Sequence, residues 1–118
     1  MLDISRTKVP TMDTLLTLID QFSTLKYNQI QLYTEHTFAF SNHRQVWQDA
    51  SPYTASDIIN IRQYCEDRFI DLVPNLNSFG HFERWLRHPT YHHLAECPDG
   101  FIHPFWRQTY LFRQHPQT

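Results

Sequence analysis

Apolar residues fall in four patterned stretches along the chain, and each pattern predicts one element. Leu15, Leu18, Ile19, Phe22 and Leu25 recur at steps of three and four, the spacing of one buried helical face. Pro10-Thr11 marks the entry to this helix, with Thr11 as N-cap and Asp13 placed favourably in the first turn. Gln29 to Tyr33 then alternates apolar and polar positions as a half-buried strand does, and Thr34-Glu35-His36-Thr37 ends it in polar groups. Thr54-Ala55-Ser56-Asp57 has the form of a capping box, with Asp in place of the usual Glu. It opens a helix whose buried face carries Ile58, Ile61, Tyr64 and Cys65. Phe69 to Leu76 reads as a strand too buried to alternate, with Pro74 expected to stop the ladder.

Smaller signals fill in the order. Met1 to Ile4 is short and apolar, the end of a first strand, and polar Ser5-Arg6 follows at once. Residues 37–53 read as an irregular connection, and Phe82 to Leu86 as a helical turn stopped by Pro89. The order is β-α-β-α-β with helix-length crossovers, which predicts right-handed units in a parallel sheet. The fold class is therefore α/β, about three βα units of the kind that build a TIM barrel. A complete barrel needs roughly 250 residues, and the chain has 118.

Polar groups follow each strand: Ser5 and Arg6, then Glu35 and His36, then Asn75, Asn77 and His81. In a parallel sheet these all gather at one end, where α/β barrels place their active sites. A Glu beside a His can fix the imidazole tautomer and raise its proton affinity, so Glu35 with His81 is a candidate proton relay or oriented donor. The plainer alternative makes both residues caps on a solvated rim. Gly80 and Gly100 are the two glycines, which marks each as a position where backbone freedom matters.

Composition narrows the partners. Apolar residues make up 41% and charged residues 19%, a globular balance, and a net charge of −2 offers no broad footprint for nucleic acid or an anionic membrane. Eighteen aromatics and eight histidines suit a sugar-binding surface, though deep cores use the same residues. No apolar run approaches 18 residues and no basic-apolar leader opens the sequence, so a cytoplasmic location is expected for the chain as written. Cys65 and Cys97 form no ligand cluster, and Cys65 is expected as a buried thiol. His81-Phe82-Glu83 lacks the Pro-Cys-x-x-Cys that a zinc deaminase requires. His88, His92 and His93 lack the zinc-protease spacing, so no metal and no cofactor are expected.

Four motifs together resemble glycoside hydrolase family 20, the β-N-acetylhexosaminidases. Met1-Leu2-Asp3-Ile4-Ser5-Arg6 is similar to the first barrel strand of that family, and Asn28 with Thr34-Glu35-His36 to the second strand and its active-site end. Tyr53-Thr54-x-x-Asp57-Ile58 resembles the entry to the second helix. Asp71-Leu72-Val73-Pro74-Asn75-x-Asn77-x-x-Gly80-His81 resembles the third-strand motif, and Phe79 to Leu86 looks closer to a divergent bacterial branch than to the best-known members. The likeness covers residues 1 to 104. It implies a (β/α)₈ barrel that removes a terminal N-acetylhexosamine with retention, the substrate's own acetamido oxygen acting as nucleophile.

The resemblance further implies an Asp that orients the acetamido group and an adjacent Glu as general acid, both after the fourth strand. This sequence contains no Asp-Glu dipeptide. His81 matches the histidine that supports the acid, Glu35 its acidic partner, and Asn77 a position where better-known members carry Asp. Asn75 and His36 are further candidates for substrate contact. The family's sugar-binding Arg would precede Met1, and Arg6 does not match it. Residues 1–105 are thus expected to be the N-terminal portion of a catalytic barrel, inactive alone. Residues 106–118 are expected to be an irregular tail left by a shift of reading frame, because one codon choice read one base later resembles a loop of the family. The partners expected are a carbohydrate and, through exposed strand edges, a second copy. A stand-alone binding or oligomerising module is the alternative, and a small metal-dependent hydrolase using the histidines of residues 81–93 ranks last.

Overall fold

A computed structural model describes residues 1–78, 80–102 and 109–110. They fall into two compact units, Met1–Leu76 and Asn77–Thr118. The first unit carries the patterned elements: β1 (Leu2–Asp3), α1 (Met12–Thr24), β2 (Gln29–Thr34), α2 (Arg44–Trp47), α3 (Ala55–Glu66) and β3 (Asp71–Leu76). The three strands form one sheet in the order β1-β2-β3, with both pairings parallel. Leu2 is in register with Leu32 and Pro74, and Asp3 with Tyr33 and Asn75.

Alternation along β2 decides which face the helices cover. Ile30 and Leu32 are buried beneath Leu15 and Ile19 of α1 and Ile61 and Cys65 of α3, together with Ile4, Ile70 and Tyr53. Gln31, Tyr33 and Asn75 lie on the alternate positions, and Asn75 Nδ2 donates to Gln31 Oε1 at 3.1 Å. One face is therefore an aliphatic core and the other a polar surface, as the period-two pattern requires.

Both long helices start where the sequence says. Thr11 Oγ1 accepts from the Thr14 amide at 3.3 Å. Thr54 Oγ1 accepts from the Asp57 amide at 3.2 Å, while Asp57 Oδ2 accepts from the Thr54 amide at 2.7 Å. This reciprocal box holds the Asp57 carboxyl below its ordinary range through the Thr54 hydrogen bonds. Thr54→Ala is expected to lower stability by about 1 kcal/mol, read as a fall in thermal midpoint. An unchanged midpoint would mean that α3 is held by packing alone.

The helix ends were less legible. Leu25, expected on the buried face of α1, is 69% exposed because the helix stops at Thr24 and the chain turns away. Lys26 (φ 60°) and Phe69 (φ 58°) follow α1 and α3 in the left-handed conformation. Tyr27 and Ile70 then donate their amides back to the Phe22 and Cys65 carbonyls, both at 3.0 Å. This closure usually employs Gly, and a side chain there costs about 1–2 kcal/mol.

Three other expectations change. Pro74 does not end the ladder: β3 stays in register with β2 as far as Leu76. The Asp71 amide donates to the Asn28 carbonyl, so Asp71, Val73 and Asn75 point their backbone groups at β2. Pro74 faces the open edge, where its missing N–H costs the sheet nothing. The 37–53 connection is not wholly irregular, since it contains α2 and a parallel bridge between Phe38 and Tyr53.

In the second unit, α4 (Glu83–Leu86) forms as expected, but Pro89 opens the next helical turn, α5 (Pro89–His92), instead of closing the last. Pro suits a first helical position, where the amide has no partner to lose. Trp85 stacks on Phe82 at 5.2 Å with the rings 5° apart. Phe101–Ile102 (β4) pairs antiparallel with Thr109–Tyr110 (β5). Thr109–Tyr110 falls in the tail expected to be irregular; the rest of residues 106–118 and Phe79 lie outside the described residues.

Candidate functional site

The ends of β1 and β2 place a carboxylate between a guanidinium and a phenol. At the end of β1, Asp3 Oδ1 accepts from the Ser5 amide at 2.8 Å and from Ser5 Oγ at 2.6 Å. These bonds, the side-chain one foremost, hold the Asp3 carboxyl below its ordinary range. They also turn the chain, so that Arg6 adopts φ 59°. From that turn Arg6 Nε reaches Glu35 Oε2 at 3.3 Å, and Tyr33 Oη donates to Glu35 Oε1 at 3.3 Å.

Burial makes this arrangement more than a rim contact. The Glu35 side chain is 4% exposed and that of Arg6 53%, so one charge is withdrawn from water while its partner stays half in it. Such a carboxylate is costly to bury without a partner, and the guanidinium supplies one. Ser5, next to Arg6 in sequence, and His36 and Thr37, which follow Glu35, are buried as well, and Thr37 Oγ1 donates to the Ile4 carbonyl at 2.8 Å, tying the end of β2 to β1. Chemically, the ordered carboxylate can accept hydroxyl hydrogen bonds or hold a neighbouring donor in place.

The expected convergence of strand ends is met for the first two strands. Ser5, Arg6, Glu35 and His36 share one end of the first unit. Asn75 sits within β3 instead of beyond it, on the polar face, with its amide on Gln31 and against Met1 Sδ at 3.3 Å. Asn77 and His81 belong to the second unit. His81 is exposed and takes φ 53°, while Gly80, the residue expected to need backbone freedom, has no positive φ. A Cβ on Gly80 would meet nothing within 4 Å.

Sequence reasoning missed two contacts. Tyr33 precedes Glu35 by two residues, and on a strand that spacing places both on one face, a usable signal. Arg6 joins Glu35 across a separation of 29 residues, which only the β1–β2 register brings together. Among the described residues no three His, Cys, Asp or Glu side chains are placed to hold a metal ion. His92 Nδ1 lies 3.0 Å from the Leu86 carbonyl, a contact from α5 back to the end of α4. Cys65 is buried, with its thiol pushed up by desolvation, and both cysteines are free.

On the helical side of β3, an apolar cavity of about 470 Å³ is lined chiefly by Phe38, Phe40, Ile58, Leu72, Pro74 and Leu76. No helix among the described residues is long and apolar enough to cross a membrane. Neither a protein-family model nor a curated protein matches the chain.

Proposed function

We propose that this chain is the N-terminal portion of a glycosidase barrel of the family 20 kind, and that the Arg6–Glu35–Tyr33 cluster belongs to its sugar-facing end. The observation that carries the reading is the 3.3 Å pairing of Arg6 with buried Glu35, at the carboxyl ends of adjacent parallel strands. Barrels use that end for chemistry, and an ordered carboxylate there is a natural acceptor for sugar hydroxyls. In this reading His81 supports a general acid and Glu35 is its acidic partner. Asn77, Asn75 and His36 are substrate contacts. The catalytic Asp-Glu pair is absent from this sequence, so the chain binds a terminal N-acetylhexosamine without cleaving it.

Two measurements test this together. No turnover of a chromogenic N-acetylglucosaminide is expected from the chain alone, while N-acetylglucosamine at millimolar concentration is expected to shift the NMR signals of residues 6, 33 and 35. Glu35→Gln keeps the shape but removes the charge, and should weaken that binding about tenfold or more, the worth of a charge-assisted hydrogen bond. Hydrolysis by the isolated chain, or sugar binding indifferent to Glu35→Gln, would overturn the assignment.

The other reading is a stand-alone module that pairs through its strand edges. Among the described residues β3 pairs with β2 alone, which favours it. Against it, the free edge of β3 presents the backbone groups of Leu72, Pro74 and Leu76, and Pro74 interrupts the donors that an added strand would need.

A further inference from the structure

We propose that Arg6 is the principal ligand contact of the strand-end cluster, its terminal nitrogens taking two oxygen atoms of one neutral sugar, with Asp3 and Glu35 as the residues that position it. This role, which rests on the sugar-binding reading above, is not one that the family resemblance gives to Arg6. Exposure decides which member of the pair a ligand meets: the Glu35 side chain is 4% exposed and that of Arg6 53%. Only Nε of Arg6 is engaged with Glu35, and no other hydrogen bond joins its side chain among the described residues. A guanidinium carries its donors in a fixed fork, so both terminal nitrogens are left to face a ligand.

The turn that presents Arg6 does not favour it. The Ser5 carbonyl accepts from the Lys8 amide at 3.3 Å, which makes Arg6 and Thr7 the central pair. Turns with positive φ at the first central position are dominated by Gly, Asn and Asp, yet Arg6 holds φ 59° there. Lys26 and Phe69 take the same conformation to close helices, a need that Arg6 does not have. Such strain persists only where the surroundings impose it. Here they grip the residue from both sides. Asp3 Oδ1 fixes the backbone through the amide and hydroxyl of buried Ser5. Glu35, itself held by Tyr33 Oη, fixes the side chain.

Charge selects a neutral ligand. Arg6 and Lys8 both lie close enough to act on the Asp3 carboxyl, after the hydrogen bonds from Ser5 that chiefly lower it. Asp3 and Glu35 thus balance Arg6 and Lys8, and an anion gains no net attraction at this turn. The fork still offers directional donors, which hydroxyl and carbonyl oxygens can accept without a charge of their own. A lysine in the same place would keep the charge and lose that geometry.

NMR titration of the full chain with N-acetylglucosamine and with D-glucuronate tests the idea. The Arg6 Nε–H signal should move as N-acetylglucosamine is added, and glucuronate should bind no more tightly. Arg6→Lys should weaken N-acetylglucosamine binding about tenfold, the worth of one charge-assisted hydrogen bond. Asp3→Asn leaves Ser5 a neutral acceptor of about half the strength, and should weaken binding about threefold. Without sugar present, the same variant should move the Arg6 Nε–H signal toward that of free arginine, a change that loss of stability alone does not produce. Binding that survives Arg6→Lys but is lost in Glu35→Gln would overturn the Arg6 contact and leave the sugar reading standing. A wild type that binds neither sugar would overturn both. A wild-type Nε–H signal in Asp3→Asn would overturn the positioning role, and tighter binding of glucuronate would overturn the neutral ligand.

Discussion

Replacing Leu15 by Ala is expected to destabilise the first unit by about 3 kcal/mol. Leu15 is fully buried on α1, above the sheet face that carries Ile30 and Leu32 and in one cluster with Ile61 of α3. Truncation removes the transfer energy of the lost carbons and leaves a void. That void cannot collapse easily, because one wall is a hydrogen-bonded sheet and the others are two capped helices. A unit of this size has only about 5–15 kcal/mol of net stability, so the loss is a large fraction of it. Urea unfolding followed by fluorescence of Trp47, whose indole Nε1 donates to the Phe40 carbonyl, should show a lower midpoint at unchanged slope. A loss well under 1 kcal/mol would mean that α1 does not cover this core.

Alkaline pH should have the next largest effect, acting through Tyr53. Burial, with the Asp57 charge second, pushes its phenol up to about 12 from an ordinary value of 10. The hydroxyl donates to the Pro10 carbonyl at 2.7 Å, fastening the segment before α3 to the entry of α1. The folded state therefore holds this proton more tightly than the unfolded state does. Stability from this source is complete below pH 10 and is lost as pH rises through 12, by about 2–3 kcal/mol. Tyr64 acts in the same direction, raised by desolvation and by its hydrogen bond to Asp20, so the comparison must isolate Tyr53. Tyr53→Phe should start lower by about 1 kcal/mol, the worth of one hydrogen bond. It should then lose less between pH 10 and 12 than the wild type. Parallel curves would mean that Tyr53 does not carry the effect.

The sugar-facing role rests on a buried, paired carboxylate.

Local chemistry was legible in the sequence wherever it depends on near neighbours. The three-four spacing of Leu15, Ile19, Ile61 and Cys65, the Thr11 and Thr54 caps, and the alternation along Gln29–Tyr33 are short-range properties, and each element formed accordingly. The parallel β-α-β-α-β order followed from crossover length. Tertiary structure alone decided the rest. Pro74 could stay in its strand only because its nitrogen faces the open edge, and that depends on which neighbour pairs with β3. Leu25, Lys26 and Phe69 were set by how each helix must turn to re-enter the sheet, a demand that overrode hydrophobicity and side-chain preference alike. Arg6 reached Glu35 because the β1–β2 register aligned two strand ends 29 residues apart. Sequence periodicity specifies which face of an element is buried, whereas partners across such distances are specified only by register.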